Sequence, residues 1–123
     1  MRDIGLEKLI EQLVIKIGIE NELLTINQYG FIIPASNIIV NEIIQDIIDK
    51  NIDIDTFKTL ILGIQWEPHP AQLEIVTQPL NHILIEKAMK ISREYVGSVA
   101  SRKNIKIFSG SVHPTHSNPF PIN

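Results

Sequence analysis

The chain has 123 residues, of which 44% are hydrophobic and 20% charged, with no cysteine and a formal net charge of −3. This size accommodates one domain with a real core, and the apolar content argues against disorder. The lack of cysteine excludes a disulfide framework, a thiolate zinc site and a Cys nucleophile, and the acidic balance offers no basic field for nucleic acid or an anionic membrane.

The first residues, Met1-Arg2-Asp3-Ile4-Gly5, carry an acid and form no apolar signal core. No apolar run approaches a membrane span, so a cytoplasmic protein is expected. Asp3 is placed to cap a short helix with Ile4, Leu6, Leu9, Ile10 and Leu13 apolar and Glu7, Lys8, Glu11 and Gln12 polar. A strand follows from Ile15 to Ile26, then the turn Asn27-Gln28-Tyr29-Gly30 and a short returning strand, Phe31-Ile32-Ile33, stopped by Pro34. Ser36 is expected to cap an amphipathic helix, with Ile39, Ile43, Ile44, Ile47 and Ile48 inward and Asn41, Glu42, Gln45, Asp46 and Asp49 outward. Phe57 to Gln65 and Gln72 to Gln78 read as strands joined through Pro68-His69-Pro70. Asn81 caps a long helix with a stripe at Leu84, Ala88, Ile91, Tyr95 and Val99, and Arg102 and Lys103 sit at its negative end. Ile105 to Phe108 is a last strand, and the Pro- and Ser-rich remainder reads as loop.

The order α-β-β-α-β-β-α-β, with tight turns between strands, predicts an α+β fold: an antiparallel or mixed sheet with helices packed on one face. No linker or internal repeat divides residues 1–123, so a single domain is expected.

The acidic residues carry the strongest chemical signal. In a strand, residues i and i+2 share a face, so Glu20 and Glu22 project side by side. Gly18 and Leu24 share that side, whereas Ile17, Ile19 and Leu23 take the other. Glu74 shares its side with Val76, so neither acidic face is cleanly polar. Two carboxylates at ~6 Å repel by roughly 2.8 kcal/mol at an effective dielectric of about 20. No Lys or Arg lies between Ile17 and Asp49 or between Thr59 and Glu86 to offset this. A solvated sheet face explains such a pattern, and so does a hard divalent cation.

Other chemistry is weaker. His113 and His116 flank Pro114, and His69 and His82 lie in separate elements, so exposed or hydrogen-bonding histidines are expected over a zinc site. The glycines are scattered singly and form no phosphate loop. Trp66 is expected in the core.

Four blocks of the chain resemble glutamate–cysteine ligases. Ile17-Gly18-Ile19-Glu20-Asn21-Glu22-Leu23-Leu24-Thr25 with Gly30 is similar to their opening Gly-apolar-Glu-x-Glu strand and hairpin. Pro34-Ala35-Ser36-Asn37-Ile38-Ile39 looks like the start of the first long helix. Glu67-Pro68 through Gln72-Leu73-Glu74-Ile75-Val76-Thr77-Gln78-Pro79-Leu80 resembles the strand that carries two acids, the second before an apolar-x-Thr-x-Pro run. Ile107-Phe108-Ser109-Gly110-Ser111-Val112-His113-Pro114 resembles the family's strand-and-loop end. Asn21 departs from relatives with a third acid there, and Glu67 from those with an aspartate.

The resemblance implies a glutamine synthetase-like fold and assigns Glu20, Glu22, Glu67 and Glu74 to a cluster of Mg²⁺ (or Mn²⁺) ions around the phosphates of ATP. It implies glutathione biosynthesis as the setting. The γ-carboxylate of glutamate is phosphorylated, and the amine of cysteine or another amine attacks the acyl phosphate. The matching blocks correspond to the first part of the family's catalytic domain. A partial domain is therefore expected, inactive alone and associating with a second subunit or as a homo-oligomer. The alternative is a catalytically silent metal- or ligand-binding or regulatory module derived from that fold.

Overall fold

The computed structural model describes residues 16–115, without the side chains of Trp66 and of residues 111–115. The helix expected at 3–13, the end of the tail with His116, and the side-chain placements of Trp66 and His113 lie outside the described residues.

Four strands, β1 (Gly18–Ile26), β2 (Ile61–Trp66), β3 (Gln72–Thr77) and β4 (Lys106–Thr115), form one antiparallel sheet in the order β2-β3-β1-β4. Among the described residues, three helices, α1 (Ser36–Ile48), α2 (Ile54–Leu60) and α3 (His82–Ser101), accompany the sheet. The alternation of β1 and β3 sends Leu23, Leu73 and Ile75 into a core with Ile39 and Ile43 of α1 and Ala88, Val96 and Val99 of α3. The long helices therefore cover one face of the sheet, which is the expected α+β arrangement. Asn21 and Thr25 lie on this covered face too.

Asn81 caps α3 as expected, its Oδ1 accepting a hydrogen bond from the Leu84 N–H at 3.0 Å. Asn104, at φ 55°, ends the helix, and the Ile105 N–H returns to the Ala100 carbonyl at 3.0 Å. Ala88 and Val99 of the expected stripe are buried, whereas Leu84, Ile91 and Tyr95 give way to their next neighbours in the chain. Ile85, Met89, Ser92 and Val96 are buried with Ala88 and Val99, and Leu84 is exposed.

Several expectations are corrected. Phe31–Ile33 is not a strand but a single bridge, Ile26 to Ile32. The Asn27 side chain accepts from the Tyr29 and Phe31 N–H groups and turns the chain tightly, with Gly30 at φ +85°. Ser36 is not a cap: its hydroxyl donates to the Pro70 carbonyl at 2.7 Å, which ties the start of α1 to the β2–β3 link. The first part of the strand expected from Phe57 is instead α2. Asp53 caps it, accepting from both the N–H and hydroxyl of Thr56, and Ile54, Phe57 and Leu60 recur at helical spacing. β4 continues through Ser109 to Thr115, where a loop was expected; an edge strand tolerates Gly110 and Pro114.

Asp46, expected outward, is 3% exposed. It accepts from the Tyr95 hydroxyl at 2.6 Å, Arg102 at 2.8 Å and Asn51 at 3.4 Å. This network fastens α1 to α3, and the Arg102 bond, with those from Tyr95 and Asn51, holds the Asp46 carboxyl down at about 2. Because α1 turns Asp46 inward, Ile44, Ile47 and Ile48 remain exposed. Ile44 and Ile47, with Val40, Phe57, Ile61 and Ile64, line part of an apolar cleft of about 200 Å³ between α1, α2 and β2.

Candidate metal-binding face

The face of the sheet opposite the helices carries Glu20, Glu22 and Leu24 from β1 and Gln72, Glu74 and Val76 from β3, by strand alternation. The register sets Glu22 directly across from Glu74 and Glu20 across from Val76. Glu20 is thus the diagonal neighbour of Glu74, within reach of a long side chain. Gln65 of β2 flanks Glu74 on its other side.

Glu67 arrives from the link after β2. The Gln72 N–H bonds the His69 carbonyl at 3.0 Å, the Ala71 N–H bonds His69 Nδ1 at 3.1 Å, and the Glu67 N–H reaches the Gln72 carbonyl at 3.4 Å. This tight turn folds Glu67 back onto Glu74. His69 is thereby occupied in shaping the turn, as expected of a hydrogen-bonding loop histidine.

Glu20, Glu67 and Glu74 interact directly. The Glu74 pKa is pushed up to about 8, first by a hydrogen bond shared with Glu67, then by desolvation, the Glu67 charge, and the charge and hydrogen bond of Glu20. The shift favours a proton shared within this group, which relieves the repulsion its carboxylates would feel if all were ionised. Among the described residues, no three His, Asp or Glu side chains stand together in an arrangement ready to hold a metal ion. The donor set nevertheless fits a hard cation in its chemistry: several half-buried carboxylate oxygens on adjacent strands, one kept protonated by its neighbours. A divalent ion at this face would take over the role of that proton.

The β1–β3 register sets Glu20 and Glu22 beside Glu74, and the turn after β2 brings Glu67 to the same region. The layer beneath them was not foreseen. Asn21, between Glu20 and Glu22, turns to the helix side and is 0% exposed. Its Oδ1 accepts from Arg93 Nε at 2.7 Å, and its Nδ2 donates to Ser109 Oγ at 3.2 Å and to the Glu22 carbonyl at 3.3 Å. A polar residue on the apolar parity of a strand was the only sequence signal for this contact.

Compared with models of known protein families, with curated proteins and with solved structures, the chain gives no significant match.

Proposed function

We propose that the open sheet face is a platform for Mg²⁺ or Mn²⁺ held by Glu20, Glu22, Glu67 and Glu74, serving an ATP-dependent carboxylate–amine ligase of the glutamate–cysteine ligase type. The observation that carries this reading is the Glu22–Glu74 opposition, with Glu67 folded against Glu74 strongly enough to hold its proton to about 8. A solvated acidic face would leave such carboxylates apart and ionised. The ligase part rests on the four sequence blocks that resemble that family.

In this reading the chain's own residues have separate tasks. Glu22 and Glu74 supply oxygens from paired strands, whose ladder keeps them at a fixed separation. Glu20 extends the acidic row along β1, and Glu67 approaches from the turn. Glu74 releases its proton as the cation arrives, so binding strengthens as pH rises towards 8. Glu20, Glu22, Glu67 and Glu74 would hold the divalent ion, which would supply charge neutralisation for transfer of a phosphoryl group to a carboxylate. Association with a second subunit or another copy belongs to the same proposal. It is supported by the β2 and β4 edges, which pair with no further strand among the described residues, and by Leu62, which a register shift leaves 62% exposed on β2.

Equilibrium binding of ATP with and without Mg²⁺ tests the function. A ligase-type platform binds ATP only with the ion and loses that dependence in Glu74→Gln. A chain that binds Mn²⁺ yet never ATP is a metal-binding module instead.

A further inference from the structure

We infer that Asn21 is a positioning residue for the acidic face, acting through Arg93 and Ser109 to hold Glu20 and Glu22 towards Glu74; the metal role of those acids rests on the function proposed above. Strand alternation places the side chain of Asn21 on the face opposite its two acidic neighbours. Fixing Asn21 from below therefore fixes the direction in which residues 20 and 22 leave the backbone above. Two separate elements do the fixing: α3 through Arg93 Nε at 2.7 Å, and β4 through Ser109 Oγ at 3.2 Å.

The need for such a hold lies in the β1–β4 ladder. Asn21 faces Val112 and Leu23 faces Ser109, so one extra residue of β4 is accommodated opposite Glu22. A bulge of this kind breaks the regular ladder and twists the strands locally. It falls at the position that must oppose Glu74. There the Asn21 amide donates to the Glu22 carbonyl at 3.3 Å. Gly110 lies against the same carbonyl, so close that an added Cβ would stand 3.3 Å from its oxygen. Asn21 thus spans the irregularity from the buried side and substitutes for contacts that a regular ladder would supply.

The test is a heteronuclear NMR comparison of the metal-free protein that reads cross-strand NOEs between Glu22 and Glu74 and the backbone order parameters of Glu20 to Leu23, with Mn²⁺ binding and thermal melting on the same samples. Asn21→Ala releases β1: the Glu22–Glu74 NOEs weaken and the order parameters of residues 20–22 fall; Mn²⁺ affinity falls roughly 10-fold, as for other residues that orient ligands from behind. Ser109→Ala removes one of the two anchors and moves the same readouts in the same direction by less. Asp46→Asn, equally buried but on the α1–α3 side, lowers the melting temperature and leaves them unchanged. An Asn21→Ala protein that is folded and destabilised, yet keeps the NOEs and order parameters of the unaltered chain, overturns the positioning role. If Asn21→Ala does not fold, the same comparison in Ser109→Ala decides, with unmoved NOEs and order parameters counting against the role. Lack of Mn²⁺ binding by the unaltered chain defeats the metal reading alone, because the NMR comparison still reports on Asn21.

Discussion

Glu22 of β1 and Glu74 of β3 face one another across an antiparallel pair, and Glu74 holds its proton up to about 8 beside Glu67 and Glu20. Like charges directly opposed on a sheet destabilise it. The hydrogen bond and charge of Glu67, desolvation and the Glu20 carboxylate favour the protonated form of Glu74, while Glu22 holds the ladder position opposite it.

Replacing Glu74 by Gln should stabilise the metal-free protein in a pH-dependent way. A carboxyl whose folded pKa lies above its unfolded value binds its proton more tightly in the native state, so stability falls as pH rises between the two values. The window runs from about 4.5, the ordinary value, to about 8. Glu74→Gln should thus match the unaltered chain at pH 4 and exceed it above pH 8. The gain is about 1–2 kcal/mol once the shift is discounted for solvent screening at this half-exposed site. Urea unfolding across pH 4–9 measures it.

Asp46 shows the opposite sign. Its folded pKa, held at about 2 by Arg102, Tyr95 and Asn51, lies below the unfolded value of 3.8, so its contribution is complete above about pH 4 and is lost as pH falls through 2. Asp46→Ala leaves the Tyr95 hydroxyl and the Arg102 guanidinium without their acceptor. With Arg102 half-exposed, the cost should be about 2–3 kcal/mol at pH 7. Thermal or urea unfolding reads this loss, and the deficit should shrink in acid.

Gly110→Ala should destabilise the sheet by about 1 kcal/mol, because its Cβ would stand 3.3 Å from the Glu22 carbonyl oxygen of a central strand that has little room to retreat. The same substitution should disturb the amide resonances of Glu20 to Leu23 before those of β2. A heteronuclear NMR comparison reads both effects.

Much of the acidic face was legible because a period of two is unambiguous: Glu20 and Glu22 must share a side, and so must Glu74 and Val76. The opposition of Glu22 to Glu74 was not, since register is fixed by long-range pairing of Leu23 with Leu73 and Asn21 with Ile75. Helix α1 misled for a related reason. Isoleucine covers so much of its circumference that the pattern cannot say which arc is buried. The choice is made by Tyr95 and Arg102, 49 and 56 residues from Asp46. In α2, β-branched and aromatic residues suggested a strand, but the Asp53–Thr56 cap and packing of Phe57 against Tyr95 at 5.7 Å selected a helix.

The most direct measurement is a Mn²⁺ titration by calorimetry at pH 7 in two buffers of different ionisation enthalpy, on the unaltered chain, Glu22→Gln and Glu74→Gln. If the acidic face is a divalent-cation platform, the unaltered chain binds Mn²⁺ with release of close to one proton, the one held by Glu74. Glu22→Gln weakens binding roughly 10-fold or more, and Glu74→Gln weakens it and abolishes the proton release. Equal affinity in all three proteins, or no Mn²⁺ binding by the unaltered chain, would contradict the platform.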